Sequence, residues 1–134
     1  IKLNKLITKY QDQIQLIYRH YPLKSHKNSN PAANAAEAAG EQGKFFQMID
    51  LLYKNQNNWA NKTDPTNMFA TYADELNLNI EKFMKDYAKT WTNISLDRAM
   101  GEKVNIKLTP TFFINDKMFE GVMSETELET EIQQ

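Results

Sequence analysis

The spacing of apolar residues changes along this chain, and that change limits the fold more than any other feature. Between about residues 30 and 104 apolar side chains recur every three or four positions, the period of helices with one buried face. Two regions outside that stretch read differently. Ile14-Gln15-Leu16-Ile17-Tyr18-Arg19-His20-Tyr21 is rich in β-branched and aromatic residues and stops at Pro22, which predicts a strand buried on both faces. Thr111-Phe112-Phe113-Ile114, the turn Asn115-Asp116 and Lys117-Met118-Phe119 predict a β-hairpin.

The remaining segments predict helices with identifiable starts. Ile1, Leu3, Leu6, Ile7 and Tyr10 form the apolar stripe of a first helix that has no cap before it. Asn30-Pro31 reads as a cap and first helical residue, followed by an alanine run from Ala32 to Ala39 that favours helix and allows close packing. After Gly40 and Gly43 a second face follows, made by Phe45, Ile49, Leu52 and Tyr53. Residues 55–62 form an Asn-rich loop around Trp59. Asp64-Pro65 opens a helix with Phe69, Tyr72, Ala73 and Leu76 inward, and Asn79 caps another with Ile80, Phe83, Met84 and Tyr87 inward. A stretch from about Thr92 to Val104 contributes Ile94 and Met100 to the core, and Ser124-Glu125-Thr126-Glu127 is a capping box before Leu128 and Ile132. The order is helix, strand, several helices, hairpin, helix. That gives an α/β or α+β class in which the helical middle is an insertion between strands.

Composition narrows the function. With 134 residues and 41% hydrophobic side chains the chain suits one domain with a packed core. The net charge of -1 argues against a protein built to neutralise nucleic-acid phosphates. No apolar run is long enough to span a bilayer. Cys is 0, which removes thiolate ligands, disulfides and cysteine nucleophiles from these residues. Ile1 is not an initiator Met and no signal-like segment follows it, so the expectation is a processed chain or a piece of a longer one.

Most local motifs reduce to structural readings. Gly40-Glu41-Gln42-Gly43-Lys44 lacks the ending of a phosphate-binding loop and follows a helix, so it reads as a helix–helix break. His20 is placed as a general base would be, but a hydrogen-bonded structural histidine is the stronger reading, and without cysteine His20 and His26 do not make a zinc site. No metal or other cofactor is expected. Glu37/Glu41 and Glu125/Glu129, four residues apart, read as solvated pairs rather than a catalytic dyad. Asn61-Lys62-Thr63 and Asn93-Ile94-Ser95 are glycosylation-type triplets of the kind an Asn-rich chain produces by chance. Thr109-Pro110 stands apart. A trans proline at the start of a strand is the common case; a cis bond would turn backbone groups of Thr109 toward a visiting extended peptide.

Taken in order, Ile17-Tyr18-Arg19-His20-Tyr21-Pro22-Leu23, the alanine-rich helix, Gly40-Glu41-Gln42-Gly43-Lys44-Phe45-Phe46, Leu51-Leu52-Tyr53, Trp59 and Thr109-Pro110-Thr111-Phe112-Phe113-Ile114-Asn115 resemble the DsbA-like thiol–disulfide oxidoreductases. The resemblance covers nearly the whole chain and implies a single thioredoxin-like domain over 1–134 with a helical insertion over about 30–104. It implies that Pro110 is the cis-proline and that Thr109 meets substrate backbone. It also implies extended or unfolded exported polypeptides as substrates, a redox partner, and a site of action outside the bacterial cytoplasm. The family's Cys-x-x-Cys and the strand before it are missing here; they are expected upstream of Ile1, within about three helical turns. Dithiol exchange needs a thiolate and a resolving thiol, so these residues alone are not a competent oxidoreductase. Without that strand, the 14–21 and 111–114 strands are expected to have unpaired edges, to be covered by an upstream segment or by a swapped or rearranged sheet. Two other readings stand beside this one: a non-redox thioredoxin-like module that holds extended peptides, and a glutathione-transferase-like or isomerase-like relative.

Overall fold

A computed structural model describes residues 3–134. In chain order its elements are α1 (Leu3–Lys9), α2 (Ser29–Gly40), α3 (Phe45–Lys54), α4 (Gln56–Trp59), α5 (Thr66–Glu75), α6 (Ile80–Tyr87), α7 (Thr92–Lys103), β1 (Thr111–Ile114), β2 (Lys117–Glu120) and α8 (Glu125–Ile132). They fall into two compact units. One is His20–Arg98, and the other joins the N-terminal residues through Arg19 to Ala99–Gln134.

The helical unit is organised by α2. Six of its alanines are buried, and their small side chains let α3 and α6 pack directly against it. Beside them Met48, Phe69 and Phe83 are fully enclosed. Phe69 anchors an aromatic cluster, with the Trp59 ring 5.5 Å away edge-on and the Tyr87 ring at 6.1 Å. Local signals account for several helix starts. The Asn79 side chain accepts from the Lys82 N–H at 2.9 Å, as a cap should. Asp64 accepts from both the N–H and the hydroxyl of Thr66, which holds its carboxyl below the usual range and starts α5.

In the other unit β1 and β2 form an antiparallel hairpin with Phe112 opposite Phe119 and Phe113 opposite Met118. Asn115 takes φ +55 in the turn, a conformation asparagine tolerates better than most residues. Phe112, Ile114 and Phe119 pack with Ile14 against a core of Leu6, Tyr10, Met123 and Leu128. Ser124 and Glu127 form the expected reciprocal capping box at the start of α8.

Several expectations need correction. Residues 14–21 form no strand, since a strand exists only where a ladder partner satisfies its backbone, and among the described residues the sheet contains β1 and β2 alone. The loop over 55–62 contains the short helix α4, and Trp59 at its end is held by donating to the Leu52 carbonyl at 2.8 Å. Helix α2 begins at Ser29 rather than after Asn30, because the Ala32 N–H already bonds the Asn28 carbonyl, at 3.0 Å, while the Asn28 side chain goes to distant partners instead of capping the helix. Tyr53 and Met100 are 63% and 56% exposed rather than core. Ile1, assigned to the first apolar stripe, lies outside the described residues.

Candidate functional site

The peptide bond between Thr109 and Pro110 is cis. Both residues are exposed and lie directly before β1. The turn is tied on each side. The Pro110 carbonyl accepts from the Gly121 N–H at 2.8 Å, and the Thr111 hydroxyl donates to the Leu108 carbonyl at 2.7 Å. Among the described residues the Thr109 backbone enters no hydrogen bond, so its N–H and C=O remain available to an incoming chain.

The alternation of the hairpin determines what surrounds that step. Side chains of Phe112, Ile114 and Phe119 turn to the core, which sends Phe113 and its cross-strand partner Met118 to the opposite face. These two are 53% and 44% exposed, and Leu108 is 40% exposed. Gly121, at φ +89, keeps the exit of β2 close to Leu108. The result is an exposed backbone step beside apolar side chains, a surface chemically suited to an extended polypeptide.

The other candidate residues have structural partners. His20 is 4% exposed, its Nε2 lies 2.6 Å from Glu37 Oε1, and its ring meets Phe45 edge-on at 5.8 Å. Its own N–H donates to Asp97 Oδ2 at 3.0 Å. A side chain so enclosed acts as a tether, not as a base open to substrate. Glu37 therefore belongs to His20, while Glu129 accepts from Lys9 and from the Tyr10 hydroxyl, which lowers its pKa and raises that of Lys9. Neither acidic pair forms a dyad. The 40–44 segment is a helix break in which the Gln42 amide bonds the Asn79 backbone in both directions, at 3.1 and 2.9 Å. Among the described residues no cluster of three or more His, Asp or Glu side chains suits a metal.

Two buried polar residues escaped the sequence reading. Asn28, 5% exposed, donates its amide to the carbonyls of Trp59, Ala60 and Lys62 at 2.8, 3.1 and 2.8 Å. Nothing local announces it, because its partners are about thirty residues away. Asp86, 2% exposed, is clamped at 2.7 Å by both Lys82 and Lys89. Its signal was available, since lysines four residues before and three after place both ammonium groups over one carboxylate.

The family model described as thioredoxin matches residues 1–134. Relatives include the Na(+)/H(+) antiporter NhaA 1 of Mycobacterium sp. (strain KMS), 32% identical over 126 residues, which takes in 89% of this chain and 19% of that protein. The Na(+)/H(+) antiporter NhaA 1 of Salinispora arenicola (strain CNS-205) is 33% identical over 122 residues, 89% of this chain and 18% of its own length. The Na(+)/H(+) antiporter NhaA of Herminiimonas arsenicoxydans is 28% identical over 114 residues, 84% of this chain and 17% of that protein. The chain thus spans about a fifth of the length of the curated relatives it matches. No solved structure matches it. Among the described residues no helix is long and apolar enough to cross a membrane. With the whole chain matched, and with helices and a small two-stranded sheet of the α/β class, this chain belongs to the thioredoxin family.

Proposed function

We propose that this chain is the substrate-holding part of a DsbA-like thiol–disulfide oxidoreductase that acts on exported polypeptides outside the cytoplasm. The observation that carries the reading is the Thr109–Pro110 step, exposed directly before β1 with a Thr109 backbone that has no partner among the described residues. An extended peptide laid along it exchanges main-chain hydrogen bonds with Thr109, as in strand addition, while Leu108 and Phe113 meet its apolar side chains. Pro110, with its own carbonyl tied to Gly121, holds the step in place.

The sulfur chemistry comes from outside these residues, because the 134 contain no cysteine. In this reading an upstream Cys-x-x-Cys supplies a disulfide. A substrate thiolate attacks one of its sulfurs, the other leaves as a thiolate, and a second substrate thiol resolves the mixed disulfide. The substrate pair is oxidised and the Cys-x-x-Cys pair is reduced, to be reoxidised by a redox partner.

The test has two parts. The isotope-labelled chain is titrated with a cysteine-free extended peptide, and amide shifts are expected at residues 108–113. N-methylation of the peptide at the position facing Thr109 should weaken binding at least tenfold. The gene product translated with its upstream coding sequence is then assayed for oxidation of a dithiol peptide. Shifts spread evenly over the surface, or equal binding of the N-methylated peptide, would overturn the peptide site. An upstream sequence without Cys-x-x-Cys would overturn the redox assignment. The absence of cysteine from the present residues favours one second reading, a thioredoxin-like module that holds extended peptides without redox chemistry, and the peptide titration alone would then succeed.

A further inference from the structure

The register of the hairpin places a carboxylate beside the cis step. Since Phe112, Ile114 and Phe119 turn to the core, the opposite face carries Thr111 and Phe113 from β1 with Met118 and Glu120 from β2. Glu120 stands directly opposite Thr111, and the bond from the Gly121 N–H to the Pro110 carbonyl, at 2.8 Å, holds it next to the step. Side chains directly opposite in an antiparallel pair start about 5 Å apart, so the carboxylate rises from the patch that Thr111 begins.

Glu120 is the charged side chain of that face, and nothing in the chain neutralises it. It is exposed, and among the described residues it enters no hydrogen bond or ion pair. Its neighbours are engaged elsewhere. The Thr111 hydroxyl donates to the Leu108 carbonyl at 2.7 Å. Lys117, the other charged residue of β2, reaches α8 and meets Glu131 at 3.4 Å and Gln134 at 3.1 Å. Lys107, the cation just before Leu108, is exposed and forms no pair with Glu120. The face thus combines the apolar Phe113 and Met118 with one negative charge. Met118 and Glu120 are two residues apart on one strand, about 6.8 Å, which is the spacing of alternate side chains in any extended peptide.

We infer that Glu120 selects extended polypeptides carrying a basic residue two positions from an apolar one, with the apolar side chain over Phe113 and Met118 and the cation over Glu120. Arginine fits best, because its planar guanidinium meets both carboxylate oxygens at once. The inference rests on the peptide-holding reading and adds the charge of the substrate to it. An exposed ion pair contributes little, so the preference amounts to about two- to fivefold at low salt.

The chain is titrated with three short peptides of alternating threonine and valine around a central leucine, which differ only in arginine, glutamine or glutamate two residues from it. At low salt the arginine peptide should bind about two- to fivefold more tightly than the glutamine one, and the glutamate peptide more weakly than either. High salt should compress the series. Glu120→Gln should erase the order and Glu120→Lys should reverse it, while the glutamine peptide binds all three proteins alike. Asp116→Asn, the same change in net charge at the far turn of the hairpin, should leave the order intact. Equal binding of the three peptides with amide shifts at residues 108–113 would overturn the inference and leave the peptide site standing, whereas no shifts there would remove both. An order that survives Glu120→Lys, or that Asp116→Asn abolishes as fully as Glu120→Gln, would also overturn it. So would shifts at 108–113 that grow with the chain's own concentration before peptide is added, since a second copy would then be the occupant.

Discussion

Removing the Asn28 side chain should unfasten the segment after α4. Its amide group has two N–H donors serving three carbonyls, those of Trp59, Ala60 and Lys62. Asn28→Ala loses about two net hydrogen bonds at roughly 1 kcal/mol each, while the Trp59 carbonyl keeps the Lys62 N–H, at 3.1 Å, as a donor. The Lys62 carbonyl sits on an exposed residue and regains water. The expected loss is therefore about 2 kcal/mol. Urea unfolding measures it, with Trp91→Phe as the common background so that fluorescence reports Trp59. With a slope of about 1–3 kcal/mol per molar urea, the midpoint should fall by about 0.7–2 M. Asn28→Asp is the sharper test. It has the same shape, but at pH 7 it turns acceptor oxygens toward three acceptors and buries a charge, so it should cost at least about 1 kcal/mol more than the alanine variant. Burial raises this carboxyl's folded pKa above its unfolded one, so the excess loss should shrink as pH falls and the group gains a proton to donate. A loss below about 0.5 kcal/mol for Asn28→Ala, or an aspartate variant as stable as the alanine one at pH 7, would refute this account of the segment.

Asp86 should dominate part of the acid sensitivity of the helical unit. Hydrogen bonds from Lys82 and then Lys89 lower its folded pKa, so its stabilisation is complete above the ordinary carboxylate value near pH 4 and is lost as pH falls below that. Asp86→Asn should flatten the acid limb of a plot of urea midpoint against pH, and parallel curves for wild type and variant down to pH 3 would contradict the assignment. Ser124→Ala should cost about 1 kcal/mol by removing the cap of α8. Hydrogen exchange should show the loss first at the Glu127 amide, which the Ser124 hydroxyl now accepts at 3.1 Å, and unchanged protection there would count against the capping role.

What could be read along the chain was what depends on near neighbours. The caps at Asn79 and Ser124, the break at Gly40 and the hairpin around Asn115 each rest on partners within a few residues, so residue type and spacing suffice to find them. The inward faces of α5 and α6 follow from a 3.6-residue period in the same way. Of the candidate site, the Thr109–Pro110 step was legible because proline marks it. Its setting was not, because the exposure of Phe113 depends on which face of the hairpin meets Leu6 and Leu128.

Tertiary structure decided the rest. Residues 14–21 have strand-forming side chains, but β-propensity measures fit to a pleated, paired surface, and without a ladder partner among the described residues they stay irregular. Tyr53 and Met100 obey helical spacing yet remain exposed, because a period identifies a stripe without saying what covers it. Asn28 reads as loop in one dimension and becomes a three-carbonyl tie in three, its partners 31 to 34 residues away. Local chemistry is written in sequence distance, whereas burial and long-range hydrogen bonding exist only once the chain has brought separated residues together.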